Sequence, residues 1–145
     1  MKISIYTGYP LVHPEVDIRC NEKNSEVQRI ENAIRSCEQY LSATIGEKTV
    51  YLKPSQVLYF EVVDRITFAY TKEETAIVKM KLNELTSDIF YGYFRISKSM
   101  VVNINHIKNI VRCFNGNLDI TLDNGEHITM SRRYVPEFNS YINWR

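Results

Sequence analysis

From Thr49 to Met130 the chain is a succession of short β-type runs divided by turn residues, and this pattern limits the fold more than any other feature. Val50-Tyr51-Leu52, Val57-Leu58-Tyr59-Phe60, Ile66-Thr67-Phe68-Ala69-Tyr70 and Ala76-Ile77-Val78 are rich in β-branched and aromatic residues, which suit a pleated, half-buried surface. Pro54-Ser55, Asp64-Arg65 and Lys72-Glu73-Glu74 separate them, so the runs read as a meander of hairpins. Asn115-Gly116 and Asn124-Gly125 are the sharpest turn signals, because both central positions of the favoured two-residue turn need positive φ. Leu118-Asp119-Ile120-Thr121-Leu122 and His127-Ile128-Thr129-Met130 alternate as half-buried strands do, and Ile107 to Phe114 reads as another strand. Leu82, Leu85 and Ile89 mark a brief helix; Val135, Phe138 and Ile142 mark a closing one.

The first 43 residues have a different texture. Ile3 and Ile5, then Val16, Ile18 and Cys20, alternate with polar neighbours and predict two short strands, with Gly8, Pro10 and Pro14 punctuating the link. A helix follows, with Ser25 and Gln28 spaced as a capping box. Val27, Ile30, Ile34, Cys37 and Leu41 recur at spacings of three and four, forming one apolar stripe. That stripe either packs on the protein's own strands or forms a homodimer seam, since the same positions fit two heptads. The predicted layout is a β-β-α segment over 1–43 and a mainly β domain over 44–145.

Several function classes are disfavoured. An enzyme needs a nucleophile, base or metal set, and His13, His106 and His127 are scattered without ligand spacing. Cys20, Cys37 and Cys113 are odd in number and unpaired in spacing, which predicts reduced thiols rather than disulfides or zinc. Glu73-Glu74 reads as a solvated turn, His106 as a loop or capping residue and Cys113 as a packed thiol. Five glycines, mostly at turns, leave none to build a phosphate-cradling loop. The expectation is no catalysis, no cofactor, no metal and no small-molecule substrate. No apolar run approaches the roughly 20 residues of a membrane helix, and the start lacks a signal-peptide core, so a cytoplasmic protein is expected.

The net charge of +1 is neutral on partners, but its distribution is not. Residues 95–145 hold seven Lys/Arg against four Asp/Glu. Three segments place a cation beside a small polar residue at a predicted turn: Asp64-Arg65-Ile66-Thr67, Arg95-Ile96-Ser97-Lys98-Ser99 and Ser131-Arg132-Arg133-Tyr134. Hydroxyls and backbone N–H groups position phosphates, and long cations reach base edges. Each segment alone is weak, because exposed Arg and Lys usually only solvate a surface.

The stretch from Phe94-Arg95-Ile96-Ser97-Lys98-Ser99 through Met100-Val101-Val102-Asn103 to Ile107 resembles the signature of the LytTR DNA-binding domain. Val57-Leu58-Tyr59-Phe60-Glu61 is similar to that family's early strand, Leu82-Asn83-Glu84-Leu85 to its short helix, and Ile128 to Tyr134 to its last strand and loop. The similarity covers about residues 44–145. It implies a domain of about ten short strands whose loops enter successive major grooves of double-stranded DNA. Carried over by position, the base-reading residues fall at Thr67, Lys98 and Arg133, with Arg95, Ser97, Ser99 and Arg132 as backbone contacts or loop supports. Thr67 is small for a base reader, so Arg65 is the alternative in the first loop. Lys98 stands where relatives carry shorter or aromatic polar residues. Asn103 reads as structural, bonding its own backbone.

Family members often follow a receiver domain, for which residues 1–43 lack the acidic pocket. The chain resembles the stand-alone regulators, which implies control by a partner, including a small membrane protein, rather than phosphorylation. The alternative is a protein-interaction module whose helix docks such a partner without intrinsic DNA binding.

Overall fold

Burial on both faces explains why Val57-Leu58-Tyr59-Phe60 is a continuous apolar run rather than an alternating one: its strand lies between two cores. The computed structural model describes residues 1–86 and 90–143. Helix α1 (Ser25–Cys37) leads into β1 (Leu41–Ile45), β2 (Lys48–Leu52), β3 (Val57–Val63), β4 (Ile66–Thr71) and β5 (Thr75–Val78). Then come α2 (Leu82–Leu85), β6 (Tyr93–Arg95), β7 (Met100–Asn103), β8 (Ile107–Arg112), β9 (Leu118–Leu122), β10 (His127–Met130) and α3 (Val135–Asn143). The described strands form a seven-stranded sheet ordered β2-β1-β5-β4-β3-β7-β6 and a three-stranded sheet ordered β10-β9-β8. The pairings are antiparallel throughout.

On one face of the large sheet, Val57, Phe60, Tyr93 and Val101 pack with Leu82 and Leu85 of α2. On the other, Leu58, Tyr59, Phe94 and Val102 meet Ile120, Leu122 and Met130 of the small sheet and Phe138 of α3. Phe138 stands edge-on to Phe94, with ring centroids 5.2 Å apart. Burying a side chain of this size contributes about 1.5–3 kcal/mol. Asn103, 2% exposed, ties the core to the chain around it: its amide donates to Val57 O at 3.1 Å, and its Oδ1 accepts from Asn105 N.

The mainly β architecture agrees with the sequence reading, and five details differ. Residues 1–24 form no strand and are exposed; short runs broken by Gly8, Pro10 and Pro14 have no neighbouring strand to pair with, and an unpaired strand is not stable in water. The α1 cap is Asn24, whose Oδ1 accepts from Val27 N at 3.1 Å, while Gln28 bonds Glu31 and Asn32 instead. The helix ends at Cys37, so Leu41 belongs to β1 and to the core, 4% exposed; β1 also runs across the expected boundary at 43/44. In α3 it is Tyr141, not Ile142, that joins Phe94. Ile89 lies outside the described residues.

The fifth difference concerns the turns. Both Asn-Gly pairs do make hairpins, but only the glycines have positive φ, Gly116 at 85° and Gly125 at 86°. Gly116 N bonds Cys113 O while Cys113 N bonds Asn117 O, and residues 122–126 repeat the pattern. This is a type I turn closed by a glycine bulge, with Asn115 and Asn124 accepting from the backbone N–H two residues on. The two-residue turn with both centres at positive φ is Asp64-Arg65 instead, at 50° and 66°.

Candidate nucleic-acid interface

Strand register gathers five chain segments at one end of the two sheets. The β3–β4 hairpin closes there at Val63 and Ile66, and β5 ends beside it, with Val78 opposite Thr67. Val62 N donates to Ser99 O at 2.8 Å, which brings in the β6–β7 loop. Ser131 N donates to Ile96 O, also at 2.8 Å, which joins the segment after β10 to that same loop. Arg132 N donates to Asn117 Oδ1 at 2.9 Å, so the β8–β9 turn completes the row.

This end is strongly charged. Residues 63–65, 79–84, 95–99, 112–117 and 131–133 carry eight cations (Arg65, Lys79, Lys81, Arg95, Lys98, Arg112, Arg132, Arg133) against Asp64 and Glu84, a balance of +6. The turns at the opposite end, 45–48, 71–74 and 123–126, carry Glu47, Glu73, Glu74, Asp123 and Glu126 against Lys48 and Lys72. The overall +1 therefore conceals two unlike ends, +6 at one and −3 at the other. At the acidic end His106 is a strut, with Nδ1 2.8 Å from Asp123 Oδ2 and Nε2 2.7 Å from Ser55 O. There too Tyr59 donates to Glu126 Oε2 at 2.8 Å; burial first, then that carboxylate, pushes the Tyr59 phenol well above its usual range.

The β6–β7 loop is held by the guanidinium of Arg95. Its Nε donates to Ser97 O at 3.0 Å, one terminal nitrogen to Asn83 Oδ1 at 2.7 Å and the other to Lys98 O. Ser97 Oγ accepts from Ser99 N at 3.2 Å, closing the turn from inside. The planar fork of Arg suits this task, since one side chain satisfies several acceptors in fixed directions. Lys98 is left exposed at the loop's crest. A shallow cleft of about 350 Å³ runs beside it, lined by Arg65, Thr67, Lys81, Asn83, Arg95 and Lys98 among others.

A basic rim of loops with hydroxyl and amide groups between the cations fits a phosphate backbone, and the comparisons with known proteins agree. The sequence profile described as the LytTr DNA-binding domain matches residues 47–143. The chain belongs to the LytTR DNA-binding domain family. A solved LytTr DNA-binding domain from Bacillus cereus superposes with a TM-score of 0.66 at 26% identity, covering 72% of this chain and 97% of that one. Two uncharacterised HTH-type transcriptional regulators of Staphylococcus aureus, from strains MSSA476 and MW2, are each 27% identical over 137 residues. Each match covers 93% of this chain and 93% of the relative.

Within this LytTR fold the residues singled out from sequence divide into two groups. Arg65, Lys98, Arg132 and Arg133 are exposed on the basic rim. Arg95 and Ser97 build the loop. Thr67 lies within β4, is 7% exposed, and donates its hydroxyl to Met80 O at 2.7 Å. That bond ties β4 to the segment after β5. Sequence reading misses Lys79, Lys81, Asn83 and Arg112. The signal available is that 79–81 directly follows a strand and Arg112 ends one. Among the described residues no group of three or more His, Cys, Asp or Glu is placed to hold a metal, and no helix is long and apolar enough to cross a membrane.

Proposed function

We propose that this LytTR protein is a sequence-specific, DNA-binding transcription regulator whose rim loops enter successive major grooves of double-stranded DNA. The observation that carries the reading is the backbone bond from Ser131 to Ile96, which fixes the Arg133 turn against the loop that presents Lys98. Two exposed cations on two mutually braced loops supply a defined spacing, which scattered surface charge does not. Arg133 and Lys98 are the base readers, because guanine O6 and N7 accept from such cations in the major groove. In the first loop the exposed Arg65 is favoured over the buried Thr67, and Lys79, Lys81, Arg112, Arg132 and Ser99 serve the phosphates.

A gel shift on the protein's own upstream region tests this. Arg133→Ala should weaken binding to the specific site by about 1–3 kcal/mol and leave random DNA nearly unchanged. Equal loss on both would reduce Arg133 to a phosphate contact. Binding that does not fall with salt would count against phosphate neutralisation altogether and favour a protein-interaction module.

A second surface supports self-association. Val27, Ile30 and Ile34 are only half-buried on α1, and Cys37 is exposed. Leu41 drops out of the seam because it is in the sheet core. The partner of this face is a second copy of the chain, which would place two rims on repeated half-sites; a small membrane protein at the same face is the competing occupant.

A further inference from the structure

We propose that Phe114 is an apolar wedge that inserts at a base step beside the Arg133 contact and makes the deformability of the sequence there part of the recognition. The inference rests on the DNA-binding reading above. Phe114 is 113% exposed, at the first central position of the β8–β9 turn, where Gly116 N bonds Cys113 O. The turn does not call for it: residues 122–125 make the same turn at the acidic end, with Asp123 at the matching position. Solvent does not call for it either, because a fully exposed ring gains nothing from water.

Its surroundings indicate what receives it. Arg112 precedes it by two residues, Arg132 donates its backbone N–H to Asn117 in the same turn, and the bulge glycine, Gly116, lies against the Arg132 side chain. The ring is thus presented from a braced turn between cations, on the flank of the turn carrying Arg133. A rim of arginines disfavours a basic or purely apolar protein partner and suits a polyanion that also offers stacked, apolar base steps. Proteins that combine arginines with an apolar side chain at a base step unstack it and bend the duplex.

The test compares wild type, Phe114→Ala, Phe114→Leu and Arg133→Ala on the upstream operator, reading affinity and, by circularly permuted fragments, the DNA bend. Phe114→Ala should lose about tenfold in specific affinity and reduce the bend, with random-sequence binding unchanged. Phe114→Leu should retain most of both, because it keeps an apolar wedge. Near-normal affinity and bend for Phe114→Ala, while Arg133→Ala still loses specific binding, would overturn the wedge and leave the DNA reading intact. If wild type itself shows no salt-sensitive binding, the underlying reading fails instead. A loss in Phe114→Ala that tracks a change in sedimentation coefficient would also overturn the wedge, assigning the ring to a protein contact.

Discussion

At the scale of single residues, Arg65 shows a local conflict that the fold tolerates for its position. It occupies the left-handed region at φ 66°, where a side chain costs about 1–2 kcal/mol relative to right-handed backbone. Asp64, at 50°, belongs to a residue type that accepts this conformation more readily. Glycine is the residue this turn type prefers at its second centre. Arg65→Gly should therefore raise stability by up to about 1 kcal/mol in denaturant unfolding, while weakening operator binding in the same preparation. A variant that unfolds more easily would mean that the Arg65 side chain supports the hairpin and is not held there against its preference. Strain of this kind is invisible in sequence. Asp64-Arg65 reads as a turn, yet nothing in the two letters says that both adopt positive φ while the two Asn-Gly pairs do not.

At the scale of elements, legibility follows how much of the answer is local. The β runs, both glycine hairpins and α3 follow from alternation and turn chemistry within about ten residues, and each is present. The burial of Thr67 is not legible in sequence because its hydroxyl bonds Met80 O, thirteen positions away, and no pattern around Thr67 reports that bond. Leu41 is misread because its spacing continues the α1 stripe, although the helix closes at Cys37 and the chain turns into β1. The first two expected strands fail for lack of a neighbour, which is again a non-local fact. The exposed part of the α1 stripe leads to a direct expectation. Ile30→Glu places a charge in the proposed seam without touching either core, and should convert dimer to monomer in sedimentation velocity with the thermal transition little changed. A wild-type chain that is already monomeric at high concentration would exclude the second copy and favour the other occupant of that face.

At the scale of the whole molecule, the segregation of charge matters more than its sum. The composition of +1 has no direction, because the cations of the rim come from five segments spread between Arg65 and Arg133. Only strand register assembles them, so the rim is legible in sequence as three suggestive turns and not as a surface. Lys79 and Lys81 follow β5, and Lys81 lines the cleft beside Lys98, but neither belongs to the braced loops that carry Lys98 and Arg133. Replacing both with Ala should lower the slope of log affinity against log salt by about 2, roughly one for each phosphate no longer neutralised, on operator and random DNA alike. An unchanged slope would remove the 79–81 segment from the DNA-facing surface.

The two unlike ends also bear on how the protein meets its target in the first place. A molecule with almost no net charge gains little from long-range attraction, but one with opposite poles experiences a torque in the field of a polyanion. If the rim is the DNA-facing surface as proposed, the duplex would turn the basic pole inward and the Glu73-Glu74 and Asp123–Glu126 pole outward before contact, favouring productive encounters. Association should accordingly be faster than net charge alone implies. That advantage fades as the Debye length, about 10 Å at 0.1 M salt, shrinks below the separation of the poles.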